Sequence, residues 1–258
     1  MPYEFDGKKY ESASKHQREW GTEIVRSLIL SGNERILDLG CGDGGLTAIL
    51  ANNVPAGSVL GIDSSENMIE TAKRHESENL HFEKMDISDL NFNDEFDVIF
   101  SNAALHWVKD HRSLLNNAHK ALRKDGKILW DFASDGNCSC FFSVVRGIIS
   151  SSTYERFFAK FEWPWYMPKV SEYRKMVCDA GFSEYQVEGI NKDRYFANAE
   201  EMIKWIDQPS IIPFITHLPN EMQMPFRNEV VNKMLEKCLR SDGTCFETFR
   251  RVRVHAVK

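Results

Sequence analysis

The stretch Ile36-Leu37-Asp38-Leu39-Gly40-Cys41-Gly42-Asp43-Gly44-Gly45 constrains the chain more than any other, because a short apolar run passes through a cluster of glycines into a helical pattern. A strand that turns through glycines into a helix opens an α/β sheet, with backbone amides and the helix N-terminus facing a ligand. The first half of the chain repeats the alternation. Residues 35–39, 58–63, 80–86, 96–101 and 127–133 are short, rich in β-branched or large apolar residues, and mostly bounded by Gly, Asn or Asp, as strands are. Helical spacing runs over 65–75 (Met68, Ile69, Ala72) and 111–123 (Leu114, Leu115, Ala118, Leu122), the latter closed by Lys124-Asp125-Gly126. An earlier helix, 13–31, carries Ile24, Val25, Leu28 and Ile29 on one face and ends at Ser31-Gly32-Asn33. This pattern predicts an α/β fold: a doubly wound, mostly parallel sheet with helices on both faces.

After residue 133 the alternation breaks. Nine aromatic residues fall between Phe141 and Tyr166: Phe141, Phe142, Tyr154, Phe157, Phe158, Phe161, Trp163, Trp165 and Tyr166. A helix over 171–180, a strand over 182–190, helices over 198–206 and 219–240 and a final strand from Phe246 to Val257 follow. No linker interrupts the chain, so 1–258 reads as a single domain: an N-terminal helix (1–31), a ligand-binding core (32–133), and covers over a second ligand at 134–170 and 191–245. Aromatic residues at this density build either a lid or an ordinary core.

Gly40, Gly42 and Gly45 satisfy G-x-G-x-x-G, a spacing shared by dinucleotide sites and other uses of the fold. Asp38 separates them. A carboxylate two residues before the first glycine repels a pyrophosphate and attracts a cation such as an α-ammonium, and no Gly-Lys-Ser/Thr ending marks a phosphate loop. Asp63 closes the next strand, 23 residues after Gly40 and near the offset at which an acid accepts from ribose hydroxyls. Asp86 ends the third. Three successive strands thus each deliver an aspartate to the edge where ligands bind.

This ordered set, from Ile36 to Ala133, resembles the class I S-adenosylmethionine-dependent methyltransferases, which implies a seven-stranded Rossmann-like sheet and S-adenosyl-L-methionine as cofactor. The resemblance assigns Asp38, Gly40, Cys41 and Gly42 to the methionine part and Asp63 and Ser64 to the ribose. Met68 and Ile87 would flank the adenine, unless they are plain core, Asp86 would accept from its amino group, and Asn102 would complete the set. Phe96-Asp97-Val98-Ile99-Phe100-Ser101-Asn102-Ala103-Ala104-Leu105-His106-Trp107-Val108-Lys109-Asp110-His111 is similar to the stretch after strand four in trans-aconitate and malonyl-carrier-protein methyltransferases, and more loosely in juvenile hormone acid methyltransferases. In those families this loop lies beside the sulfonium and faces the acceptor, and the acceptor is a carboxylate. By the same resemblance His106 is a base, an acceptor ligand or a pocket-lining residue, Trp107 walls the methyl group or simply packs, and Gln17 on the N-terminal helix closes over cofactor or acceptor or merely covers the sheet.

A carboxylate with its ordinary pKa of about 4 is already an anion at pH 7, so methyl transfer to it needs positioning and water exclusion rather than a general base. The expected function is therefore methyl transfer to the carboxylate of a small-molecule or carrier-bound acid. The alternatives are an N, C or other O acceptor, and a nicotinamide-dependent oxidoreductase. An aromatic lid would favour a partly apolar acid over a small tricarboxylate. Arg146, Arg156, Arg174, Arg194 and Arg227 are all candidate carboxylate clamps.

Charge excludes other classes. The sum of 32 basic and 38 acidic residues is −6, which opposes non-specific nucleic-acid binding. The excess lies in residues 1–130, with 15 basic against 21 acidic. Six cysteines without a C-x-x-C pair give no zinc pattern, and Cys138-Ser139-Cys140 is either an ordinary loop or an oxidisable pair. No metal is expected. No apolar run approaches the roughly 18 residues of a membrane span. The start Met1-Pro2-Tyr3-Glu4-Phe5-Asp6-Gly7-Lys8 lacks a secretory profile, so a cytoplasmic monomer or weak dimer is expected.

Overall fold

A computed structural model describes residues 15–258, apart from the side chains of 15–19, 208 and 209. Gln17 therefore lies outside the described side chains. In chain order the elements are α1 (Lys15–Ser27), β1 (Arg35–Leu39), α2 (Gly45–Asn53), β2 (Ser58–Asp63), α3 (Glu66–Ala72), β3 (Leu80–Lys84), β4 (Phe96–Asn102), α4 (His111–Ala121) and β5 (Leu122–Ala133). Then come α5 (Ser139–Ile149), α6 (Glu155–Phe158), α7 (Val170–Asp179), β6 (Glu184–Asn191), β7 (Arg194–Phe196), α8 (Ala199–Trp205), α9 (Ile212–Ile215), α10 (Asn220–Cys238), β8 (Cys245–Glu247) and β9 (Arg250–Val257). They divide into two compact units: residues up to 135 with 165–190 and 251–258, and residues 136–164 with 191–250.

The first unit holds a seven-stranded sheet of order β3-β2-β1-β4-β5-β9-β6. Neighbours from β3 to β5 run parallel, and β9 is antiparallel to β5. The order reverses between β1 and β4, which makes the crevice outside their carboxyl ends the ligand-binding position of an open α/β sheet. Side chains alternate between two covered faces. Ile36, Val98, Phe100 and Leu129 pack with Ile24 and Val25 of α1, Leu50 of α2 and Ile69 of α3. Leu37, Ile99, Ile128, Trp130 and Phe132 pack with Leu114 and Leu115 of α4 and Tyr173 and Val177 of α7. Burial on both faces is why these strands read as unbroken apolar runs.

Two departures from the sequence expectation change how strands pair. The helix expected over 111–123 ends at Ala121, and Lys124-Asp125-Gly126 lies inside β5. Asp125 there takes φ +61°, and the β4–β5 register shifts between Phe96 and Val98. The turn-like residues thus mark a break in strand pairing rather than a helix stop. The expected final strand from Phe246 to Val257 is two strands: β8 pairs with β7 in a separate two-stranded sheet, and β9 joins the large one.

The second unit has its own aromatic core. Phe214 stands 5.2 Å from Phe161 and 5.4 Å from Trp163 between ring centroids, and Phe226 stands 5.2 Å from Tyr154 and 5.7 Å from Phe158. Glu247, fully buried, accepts from Cys140 N (3.1 Å) and Phe141 N (2.8 Å), satisfying amides at the start of α5 that have no partner within the helix. Trp165 and Tyr166 belong instead to the first unit. The aromatic run is therefore divided between two cores. Among the described residues no helix is long and apolar enough to cross a membrane.

Candidate active site

The turn after β1 is fastened to β2. Gly40 N and Cys41 N donate to Ile62 O at 2.8 and 2.9 Å, and Gly42 N donates to Asp63 Oδ2 at 3.1 Å. Gly40 (φ +73°) lies so close to the loop after β4 that a Cβ there would stand 2.2 Å from Ala104 Cβ. Gly42 (φ +56°) faces open space, with nothing within 4 Å of such an atom. One glycine thus permits chain-to-chain approach, and the other bares the backbone to a ligand. The Cys41 side chain is buried beneath the turn, and burial together with Asp63 and Asp38 holds its thiol well above the usual range.

Asp38 is 2 % exposed and accepts from Thr47 Oγ1 at 2.7 Å. Burial pushes its pKa up to about 7, against the Thr47 bond and with the help of nearby Asp63. A buried carboxylate beside a second one favours a cation. Asp63 is held in place by Gly42 N and by Ser65 N at 2.9 Å, and Ser64 beside it is partly exposed. Met68 is buried on α3, capped by Ser65, while Ile87 is partly buried. Asp86 stands two residues beyond the end of β3, exposed, with Oδ1 accepting from Ser88 N at 2.8 Å.

At the end of β4 the chain bends sharply at Ala103 (φ +59°), whose N–H donates to Asp131 O at 2.8 Å. The loop that follows is pinned from two sides. Tyr166 N donates to His106 O at 2.8 Å, and the Trp107 and Trp165 rings lie 5.2 Å apart. Beneath it, His111 Nε2 lies 2.9 Å from Leu105 O and Nδ1 lies 2.9 Å from Tyr173 Oη. A carbonyl only accepts, so Nε2 carries the proton and Tyr173 donates to Nδ1. Burial lowers the His111 pKa to about 4 and keeps this tautomer neutral. His106 is also neutral: burial, with the charges of Arg251 and His111, lowers its pKa to about 3. Its Nδ1 is buried without a hydrogen-bond partner among the described residues.

Sequence reasoning missed the residues that complete this edge. Asp131 and Arg251 are buried and joined through Arg251 Nε; Arg251 Nη2 also donates to Asn102 Oδ1 (3.1 Å) and Asp131 O (2.8 Å). Arg253 Nε donates to Asp131 Oδ2 at 2.9 Å. The signal was present as a lone acid inside the apolar run Ile128–Ala133 and as alternating arginines in Arg251-Val252-Arg253-Val254. Of the five expected clamps, Arg174 donates to Val187 O, Arg227 forks onto Asp207, and Arg146, Arg156 and Arg194 lie over Trp163, Phe157 and Phe196.

The sheet edge thus carries a cation-seeking end at Asp38 and Asp63, backbone donors at the glycine turn, and a neutral imidazole on the loop after β4. Comparison with known proteins identifies the arrangement. The methyltransferase domain family matches residues 30–162. An uncharacterised methyltransferase of Schizosaccharomyces pombe is 30 % identical over 267 residues, covering 100 % of both chains. The trans-aconitate 2-methyltransferase of Variovorax paradoxus is 27 % identical over 92 % of this chain and 91 % of its own. The fold is shared with a phosphoethanolamine N-methyltransferase of Haemonchus contortus solved with S-adenosyl-L-methionine, at a TM-score of 0.63 and 19 % identity, covering 98 % of this chain and 56 % of that one.

That cofactor carries an α-ammonium, a ribose and an adenine, and the residues present suit it: a buried acid for the cation, an oriented acid for hydroxyls, and a bared glycine backbone. Nothing here calls for a nicotinamide. The chain belongs to the methyltransferase domain family and is an S-adenosylmethionine-dependent methyltransferase.

Proposed function

We propose that the enzyme transfers a methyl group to the carboxylate of a small-molecule or carrier-bound acid. The observation that carries this reading is the state of His106. A histidine with a pKa near 3 is a poor proton acceptor at pH 7, so this reading takes an acceptor that attacks without a general base, as a carboxylate does. The trans-aconitate 2-methyltransferase among the relatives supports it.

The cofactor supplies an electrophilic methyl group on a sulfonium. The chain's own residues would then bind and orient. Asp38 would face the α-ammonium while Gly40, Cys41 and Gly42 line the methionine part. Asp63 and Ser64 would accept from and donate to the ribose, and Asp86 would accept from the adenine amino group between Met68 and Ile87. Asn102 would complete the cofactor set, and His106, Trp107 and Gln17 would line the acceptor's approach and exclude water, so that a near-attack geometry lowers the barrier. On this reading the chain works as one domain, and segments 134–170 and 191–245 supply acceptor specificity. It works as a cytoplasmic monomer or weak dimer without a nucleic-acid partner, in keeping with a net charge of −6.

A labelled-methyl assay over a panel of carboxylic acids tests the reaction. Base-labile, volatile label marks an ester and is the expected result. Label in a base-stable product refutes it.

A further inference from the structure

We propose that Arg251, at the start of β9, together with the unpaired Nδ1 of His106, forms an anion-recognition subsite that holds a carboxylate of the methyl acceptor. The inference deepens the carboxylate reading above and rests on it for the identity of the anion, while the subsite itself stands on charge and geometry.

Three features support it. The first is register: Asn102 pairs with Asp131 across β4 and β5, and Asp131 pairs with Arg253 across β5 and β9. Arg251, two residues from Arg253, shares that face. Among the described residues the row therefore holds two guanidiniums against one carboxylate, and of the two Arg251 is the buried one, 5 % exposed. Asp131 is shared with Arg253, whose side chain is 24 % exposed, so the buried Arg251 has only part of a carboxylate to balance it, and burying unbalanced charge is costly.

The second is the unused fork. Arg251 Nε and Nη2 are committed to Asp131 and Asn102, and its guanidinium lies 5.6 Å from the Trp20 ring centroid. Nη1 makes no hydrogen bond among the described residues. A guanidinium fixed on one edge and stacked on one face is preorganised to receive an oxygen on the other. The third is His106, whose buried Nδ1 lacks a partner within the electrostatic reach of Arg251. In its Nδ1–H tautomer it donates to the same anion.

Charge along the sheet edge is thus segregated. Acids cluster at the ends of β1 and β2, where a cationic cofactor would sit, and the positive surplus lies at β9, on the far side of β4. An acceptor bound there approaches from the end opposite the α-ammonium.

Calorimetric titration of the complex with S-adenosylhomocysteine tests this, using trans-aconitate and dodecanoate, each beside its amide. The acid should bind the wild type about 10- to 150-fold more tightly than the amide, as expected for a hydrogen bond to a charged group. Arg251→Met should abolish that preference while leaving affinity for S-adenosylhomocysteine within about twofold, which also reports that the variant is folded. Arg251→Lys keeps a cation against Asp131 but removes the fork, and should lose about tenfold. It carries the test if the methionine variant does not fold. Equal binding of acid and amide, failure of both acids to bind, or acid affinity unchanged in a folded variant overturns the proposal. Label found on nitrogen, with acid preference still lost in Arg251→Met, overturns carboxylate methylation but leaves the anion subsite standing.

Discussion

Lowering the pH from 7.5 to 6 should weaken cofactor binding through a single proton on Asp38. The carboxyl has a pKa of about 7 in the folded protein because it is buried, with Thr47 as its one hydrogen-bonding partner among the described residues and Asp63 nearby. If it must be ionised to face an α-ammonium, the apparent Kd scales as one plus the ratio of protonated to ionised Asp38, rising about eightfold from pH 7.5 to 6. The ligand's own ammonium, with a pKa near 8, offsets this slightly, leaving about sixfold. At pH 7 about 0.4 protons should be released per molecule of S-adenosylhomocysteine bound. Calorimetry in two buffers of different ionisation enthalpy reads that number directly. Asp38→Asn should bind more weakly and release none. The same raised pKa fixes a second sign: between pH 4 and 7 the folded apoprotein holds a proton that the unfolded chain does not, so Asp38 lowers stability as pH rises through that window. A Kd that is flat from pH 6 to 7.5, with no buffer-dependent enthalpy, would refute the cation-facing role.

Four further outcomes follow. Asp63→Ala should weaken S-adenosylhomocysteine binding by about 10- to 150-fold, measured by titration, because an oriented acid that Gly42 and Ser65 hold in place is lost. In denaturant melts Gly40→Ala should cost about 2–4 kcal/mol, since its Cβ would meet Ala104 as well as strain the backbone, against about 1–2 kcal/mol for Gly42→Ala, where only the backbone is strained. Tyr173→Phe should cost about 1–3 kcal/mol by leaving the acceptor Nδ1 of buried His111 unpaired. The His111 pKa is lowered to about 4, so its stabilising contribution is complete above pH 6.5 and lost as pH falls towards 4. A His111→Gln variant should flatten the Tm profile over that range, and an unchanged slope would show that His111 is not the group responsible.

Much of the architecture was legible because it is encoded locally. Strand β1 and strand β2 have the bounds that their apolar runs suggest, and the glycine turn stands where its spacing puts it. A period of two buried on both faces leaves an unbroken apolar run, and that pattern survives any change in distant sequence. The stop at Lys124-Asp125-Gly126 was misread because a bend residue serves a strand irregularity as well as a helix end. The aromatic run from Phe141 to Tyr166 looked like one cover, yet Trp165 and Tyr166 serve the loop after β4 while the earlier aromatics build a separate core. Ring count fixes how much apolar surface needs burial, not which core buries it.

The sequence by itself determined the alternation of strands and helices up to residue 133, the glycine turn and the three aspartates at or near successive strand ends, since each depends on neighbours a few residues away. Only the tertiary structure decided that Asp38 is protonated near neutral pH and that His106 is not, because a pKa depends on what surrounds a group in space. It also decided that Asp131 meets Arg251, 120 residues later, since only the closing of β9 against β5 brings that acid and that base together.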